Sequence, residues 1–220
     1  MTAPDRHPNS RDREPAMSAP LLYLASKSPR RQALLRQLDV EFETLLLREA
    51  IGRERDVVEQ VKDGEPALHY VERIARTKAQ VGWQRMQNRK LAERPVLGAD
   101  TEVVLDGEVF GKPRDAGDAA RMLRRLSGRT HQVLTAVAVR FRDATEVDLC
   151  ASKVTLRRLA AAEIERYAAT GEPLDKAGAY AVQGRAAAFI ARIEGSYSGI
   201  VGLPLCETAT LLARVGCPVL

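Results

Sequence analysis

The sequence predicts an α/β protein built on an elongated mixed β-sheet with flanking helices, and three observations predict it. The chain opens strand–helix–strand between Leu21 and Leu47, the order that joins parallel strands through a crossover helix. Two long runs, His131–Phe141 and Val147–Leu156, alternate as paired antiparallel strands do. Segments of helical period separate the remaining short strands. Crossovers and long antiparallel runs in one chain imply a mixed sheet, with a cleft between two lobes.

Taken in order, residues 1–20 carry Pro4, Pro8, Pro15 and Pro20, balance arginines against acids and have no apolar stretch. They read as a disordered tail and not as a signal peptide. Met17, just ahead of the first strand, is where the sequence leads us to expect translation to begin. Leu21–Ala25 is an apolar strand. Ser28 offers the side-chain oxygen of an N-cap and Pro29 the fixed φ of a first helical residue. The helix they open runs through Leu38, with Leu34, Leu35 and Leu38 on one face, and Phe42–Leu47 is the next strand. Arg48–Gly64 is charged and aperiodic. Pro66–Val81 then sets Val71, Ile74, Ala75 and Lys78 on one helical stripe. Lys78 there either snorkels to the rim or reaches a pocket behind the sheet, and spacing alone favours the rim.

Pro95–Ala99 reads as a strand ending in Asp100-Thr101, with Gly98 and Ala99 leaving room for a ligand beside the backbone. Asp106-Gly107, between Val103–Leu105 and Val109–Phe110, is a two-residue hairpin signal. A helix from Asp115 to Leu126, closed by Ser127-Gly128, precedes the two long strands. Ala161–Thr170 is helical with Gly171 as its stop, Gly171–Gly184 is a polar loop, Phe189–Ile193 a strand, and Pro204–Val215 a closing helix.

At 220 residues, 45% hydrophobic and 29% charged, the chain has the composition of a soluble globular protein, and no stretch reaches the roughly 18 apolar residues of a membrane span. A net charge of +5 favours an anionic partner. Aromatics are only 5%, with Trp83 the sole tryptophan, which favours a small polyphosphate over nucleic acid. Cys150, Cys206 and Cys217 show no metal-ligand or disulfide spacing and fit a reducing cytosol; His7, His69 and His131 show no zinc pattern.

The chemistry concentrates in a few places. Arg30 and Arg31 stand at the positive end of a helix dipole, where cations cost stability unless an anion is bound. Asp100 at a strand end suits holding a divalent cation or taking a proton from water, or simply caps a turn. Lys112 follows the hairpin in Gly111-Lys112-Pro113. In the polar loop, Gln183 offers the donor and acceptor of a base edge, beside the charged Asp175 and Lys176. Together these describe a nucleoside triphosphate hydrolase, and the sequence holds no Gly-x-x-x-x-Gly-Lys-Ser/Thr P-loop.

The ordered motifs Ser26-Lys27-Ser28-Pro29-Arg30-Arg31, Gly98-Ala99-Asp100-Thr101, Gly111-Lys112-Pro113, Ser127-Gly128-Arg129-Thr130-His131, Gly171-Glu172-Pro173-Leu174-Asp175-Lys176-Ala177-Gly178 and Gly195-Ser196-Tyr197 through Val201-Gly202-Leu203-Pro204 resemble the Maf family of nucleotide pyrophosphatases. The resemblance runs from about Leu21 to Val215. It makes 21–220 a Maf-like domain and implies an inosine-triphosphatase-like fold with a deep cleft, a homodimer, and metal-dependent cleavage of a triphosphate to monophosphate and pyrophosphate. Mg2+ or Mn2+ is the implied cofactor, with neither nucleic acid nor membrane as partner.

Arg30, Thr101 and Gln183 match the branch acting on dTTP and UTP, whereas the 7-methyl-GTP branch carries a Gly-Ser-Asp version of the central motif. By that resemblance Asp100 is the general base, Ser26, Arg30, Arg31, Lys78 and Lys112 contact phosphates, and Thr101 with Gln183 selects the base. Members often carry an acidic pair after the second strand; here Arg48-Glu49-Ala50-Ile51-Gly52 offers one glutamate. The metal candidates are therefore Asp100 and Glu49, with Glu54 a possible substitute. The rival function is a nucleotide-binding regulator of cell division or septum formation that does not depend on hydrolysis.

Overall fold

The computed structural model describes residues 21–48 and 56–219. The tail over 1–20 with Met17, and both Glu49 and Glu54, lie outside the described residues. β1 (Leu22–Leu24) lies between β2 (Phe42–Thr44) and β3 (Val96–Leu105), parallel to both, and all three of its residues are buried. Beyond β3, β5 (Thr130–Phe141), β6 (Ala144–Leu156) and β7 (Ile190–Glu194) continue the sheet, each antiparallel to the strand before it. β4 (Glu108–Phe110) joins the far end of β3 through Asp106 and Gly107, whose φ values of 53° and 81° are those of a type I′ turn. The described strands thus form the expected mixed sheet, in the order β2-β1-β3-β5-β6-β7 with β4 on β3.

Strand alternation gives the sheet two differently covered faces. On one, α2 (Ala67–Asn88) lays Val71, Ala75 and Ala79 over Val104, Leu134, Ala136 and Ala138. The other carries two separate cores. Leu34 and Leu35 of α1 (Pro29–Gln37) and Leu211 and Leu212 of α6 (Leu205–Arg214) pack on Leu97 and Ala99. Beyond them, α3 (Ala116–Leu126) and α4 (Ala161–Ala168) pack on Val103 and Leu105. Thr101 falls between the two cores, and the cleft between the lobes opens there. No helix of the described residues is long and apolar enough to cross a membrane.

β3 positions the site. It pairs with β1 at Val96 and Leu97 and with β4 from Val103 onward, so on that side Gly98–Glu102 have no described strand beside them. The strand does not end at Asp100, as the sequence led us to expect, because β5 pairs with it without interruption from Val96 to Val104. Nor does Gly98 leave space for a ligand. A Cβ there would stand 2.6 Å from both the Ala75 carbonyl oxygen and the Ala79 nitrogen, so the missing side chain lets α2 approach the sheet.

α2 runs past the expected Val81 because Trp83 and Met86 extend its buried stripe against Tyr23 and Val96. The polar loop contains short 3₁₀ turns at Glu172–Asp175 and Ala177–Ala179. The sequence reading did not anticipate α5 (Tyr197–Val201), which Ser196 caps by accepting the Gly199 N–H at 3.0 Å.

Candidate active site

A cleft of about 610 Å³ opens where β3 lacks a neighbour, and its lining includes Ser26, Arg30, Arg31, Lys78, Asp100, Thr101, Lys112 and Gln183. All eight residues assigned a catalytic or substrate-binding role from the sequence converge on this one cavity.

One wall is the turn from β1 into α1. Ser28 caps the helix by accepting the Arg31 N–H at 3.4 Å, and its own N–H donates to Ser26 Oγ at 3.2 Å. The Arg31 guanidinium donates from Nε to the Gly202 carbonyl at 2.8 Å, from Nη1 to Ser26 Oγ at 3.3 Å and from Nη2 to Thr101 Oγ1 at 3.3 Å. Arg31 therefore joins α1, β3 and the end of α5, a fork that lysine could not reproduce. Its enclosure lowers its pKa from the usual arginine value, against the opposing charges of Asp100 and Glu59. Arg30 reaches across the mouth to Asp175 at 3.3 Å, and Asp175 also pairs with Lys176. Asp175 is exposed, so this bridge adds little stability.

The floor carries the carboxylates. Asp100 is 5% exposed; its Oδ1 accepts from Lys78 Nζ at 2.8 Å, while its buried Oδ2 has no partner. Lys78 does not snorkel to the rim, as spacing alone favoured. Gly98 brings its helical turn down onto β3, and the ammonium is buried between Asp100 and Glu59, which it meets at 2.6 Å. For Glu59, burial pushes the pKa up, yet the charge and hydrogen bond of Lys78, helped by Lys112 and Arg31, hold it below the usual value.

Glu102, two residues beyond Asp100 on the same face of β3, also lines the cleft, and its buried Oε2 is unpartnered. Burial foremost, with the charges of Asp100 and Glu59, pushes its pKa up to about 8. Glu59 and Glu102 were missed in the sequence. Glu59 lies in an aperiodic stretch with no pattern to place it, whereas Glu102 could have been found from its two-residue spacing to Asp100.

Thr101 points to the opposite face. Its Oγ1 receives Arg31 and lies 3.0 Å from Thr135 Oγ1, which in turn is 2.8 Å from the Gly199 carbonyl.

The far wall is the segment from Asp175 to Gln183. Gly178, at φ 67°, has Val103 side-chain atoms 2.8–2.9 Å from where a Cβ would stand, and its N–H donates to the Gly111 carbonyl at 3.1 Å. The loop is thereby pinned beside β3 and Lys112, with Gln183 exposed along the cleft. Behind it, His131 Nε2 and Tyr180 Oη share a 2.7 Å hydrogen bond, and burial pulls the His131 pKa down to about 4. His131 is thus buried behind the loop and tied to Tyr180.

The sequence profile of the Maf family, described as Maf-like protein, matches residues 21–215. This chain belongs to the Maf family. A relative from Aromatoleum aromaticum named dTTP/UTP pyrophosphatase is 55% identical over 90% of this chain and 96% of its own length. Relatives of the same name from Nitrosospira multiformis and Dechloromonas aromatica are 57% and 49% identical, covering 87% and 89% of this chain and 92% and 97% of their own. Among solved structures, the Staphylococcus aureus Ham1 protein aligns with a TM-score of 0.40 at 12% identity over 61% of this chain and 71% of that one, too distant to add to the family assignment.

Among the described residues of this Maf-family chain, no three His, Cys, Asp or Glu side chains form a preassembled metal cage. Asp100 and Glu59 nonetheless fit a hard divalent cation. Both offer carboxylate oxygen at the cleft floor, both already flank one cation in Lys78, and Asp100 Oδ2 is buried without a partner. Such ions are commonly held by one or two carboxylates, with phosphates and water completing the shell. With Glu49 outside the described residues, Glu59, joined to Asp100 through Lys78, and Glu102, its neighbour on β3, are the glutamates that the described residues bring to the cleft floor.

Proposed function

We propose that this protein is a nucleoside triphosphate pyrophosphatase acting on dTTP and UTP, releasing the monophosphate and pyrophosphate. The observation that carries the reading is Asp100: a buried carboxylate with one oxygen held by Lys78 and the other unpartnered, on the floor of a cleft also lined by Lys112, Arg30 and Arg31. Relatives covering most of the chain bear the name of that activity.

In this mechanism the Asp100 carboxylate receives the proton of the water that attacks the α-phosphorus, while the Lys78 bond to Oδ1 keeps it oriented. Lys112, Arg30 and the helix-end amides around Ser26 hold the phosphates and neutralise charge developing on the leaving pyrophosphate. Arg31 serves the phosphates and fixes Thr101. Gln183 hydrogen-bonds the pyrimidine edge, and Thr101 acts on base choice from the opposite face of β3. A divalent cation, Mg2+ or Mn2+, when bound supplies further charge neutralisation on the phosphates, with Asp100 and Glu59 as its holders. We place the enzyme in the cytoplasm, from cysteines without disulfide spacing, and as a homodimer, on the strength of the family resemblance.

The test is pyrophosphate release from a panel of natural and modified triphosphates by wild type and Asp100→Asn. Wild type is expected to prefer dTTP and UTP. The variant should lose about 10²–10⁴ in turnover while still binding nucleotide. Near-normal release by Asp100→Asn, or no release from any triphosphate by wild type, would refute the reading.

A further inference from the structure

Two carboxylate oxygens in this cleft have no partner and no access to solvent, Asp100 Oδ2 and Glu102 Oε2. The side chain of Asp100 is only 7% exposed, so solvent does not compensate its free oxygen. Alternation along β3 puts Asp100 and Glu102 on the same face, and both line the cleft. Uninterrupted pairing with β5 holds the backbone at both positions, so neither can swing away by local unravelling.

A buried carboxylate oxygen without a donor is costly, and two of them side by side repel. Lys78, the cation nearest at hand, is already engaged by Asp100 Oδ1 and Glu59. Three acidic side chains, Glu59, Asp100 and Glu102, thus share the cleft with Lys78 and the exposed Lys112, and Glu102 gains a full charge only where a cation takes the place of its proton. Hard anionic oxygens in a partly dry floor are suited to a small divalent ion, whose charge would offset both uncompensated oxygens at once.

We propose that Glu102 is a direct ligand of the divalent cation, sharing it with Asp100 across the two-residue step of the strand. The cation itself comes from the pyrophosphatase reading, on which this rests; Glu102 is a ligand that the reading does not use. In this arrangement the strand would supply both carboxylate ligands from one face.

The test is calorimetric titration of Mn2+ into the full-length protein, with and without α,β-imido-dUTP, for wild type, Glu102→Gln and Glu102→Asp, with circular dichroism confirming the fold. Glu102→Gln is expected to weaken Mn2+ binding at least tenfold, and Glu102→Asp to lie between it and wild type. Wild-type crystals soaked in Mn2+ should show an anomalous peak bonded to both Asp100 and Glu102. Variant affinities within twofold of wild type, no Mn2+ binding by wild type in either state, or a peak on Asp100 alone would overturn the proposal. If Glu102→Gln loses Mn2+ affinity while wild type turns over no triphosphate, the ligand assignment stands and the pyrophosphatase reading falls. Full turnover alongside unchanged Mn2+ affinity in the variants does the reverse.

Discussion

Replacing Gly98 by alanine tests the link between packing and chemistry. The added Cβ would lie 2.6 Å from Ala75 O and Ala79 N, where ordinary contact begins at 3.4 Å, and both are backbone atoms that cannot rotate aside. α2 must therefore withdraw by roughly 0.8 Å, the gap between those two distances. Overpacking of this kind costs about 1–3 kcal/mol, and at this chain length each kcal/mol lowers Tm by roughly 2–4 °C. Lys78 stands on the same helical turn, so a similar displacement would stretch its 2.8 Å bond to Asp100 beyond hydrogen-bonding range. A misplacement near 1 Å can cost about 10²-fold in rate, so kcat should fall by at least about tenfold. Thermal unfolding by circular dichroism and pyrophosphate release from dTTP measure the two effects. Gly111→Ala, whose Cβ would meet nothing within 4 Å, is the control expected to keep wild-type Tm. A Gly98→Ala protein with wild-type Tm and kcat would refute the claim that this glycine sets the Lys78–Asp100 geometry.

Two further outcomes follow from the far wall. Gln183→Ala is expected to lower kcat/KM for dTTP and UTP by about 1–3 kcal/mol of lost edge recognition and to flatten the preference over purine triphosphates; an unchanged substrate profile would remove Gln183 from base selection. His131 is 2% exposed and its pKa in the folded protein is about 4 against an ordinary 6.5, so as pH falls the unfolded chain takes up that proton first. Stability from this residue is complete above about pH 6.5 and drains away towards pH 4; between pH 7 and 5 wild type should lose on the order of 2 kcal/mol more than His131→Gln in urea titrations. Parallel pH curves for the two proteins would rule this out.

Much of the architecture was legible because local rules act over a few residues. Ser28-Pro29 announced a helix start, Asp106-Gly107 a type I′ turn, and the alternation of His131–Phe141 and Val147–Leu156 an antiparallel pair, and each formed where the pattern put it. The eight candidate residues were readable through motif and family resemblance, and they line one cleft. The errors share a cause. Asp100 was read as a strand end and Lys78 as a rim lysine because strand pairing with β5 and the approach of α2 at Gly98 are contacts between segments far apart in the chain.

By itself the sequence determined the order of the strands and of the longer helices, the mixed sheet and the residue types gathered for phosphate chemistry, since periodicity, capping and turn signals are written in neighbouring residues. Only the tertiary structure decided that β3 runs unbroken under the cleft, that Lys78 is buried between Asp100 and Glu59, and that Glu102 joins Asp100 on one face with its oxygen uncompensated. The physical reason is that burial and charge pairing belong to the space between elements, which α2, β3 and the loop bearing Glu59 define together.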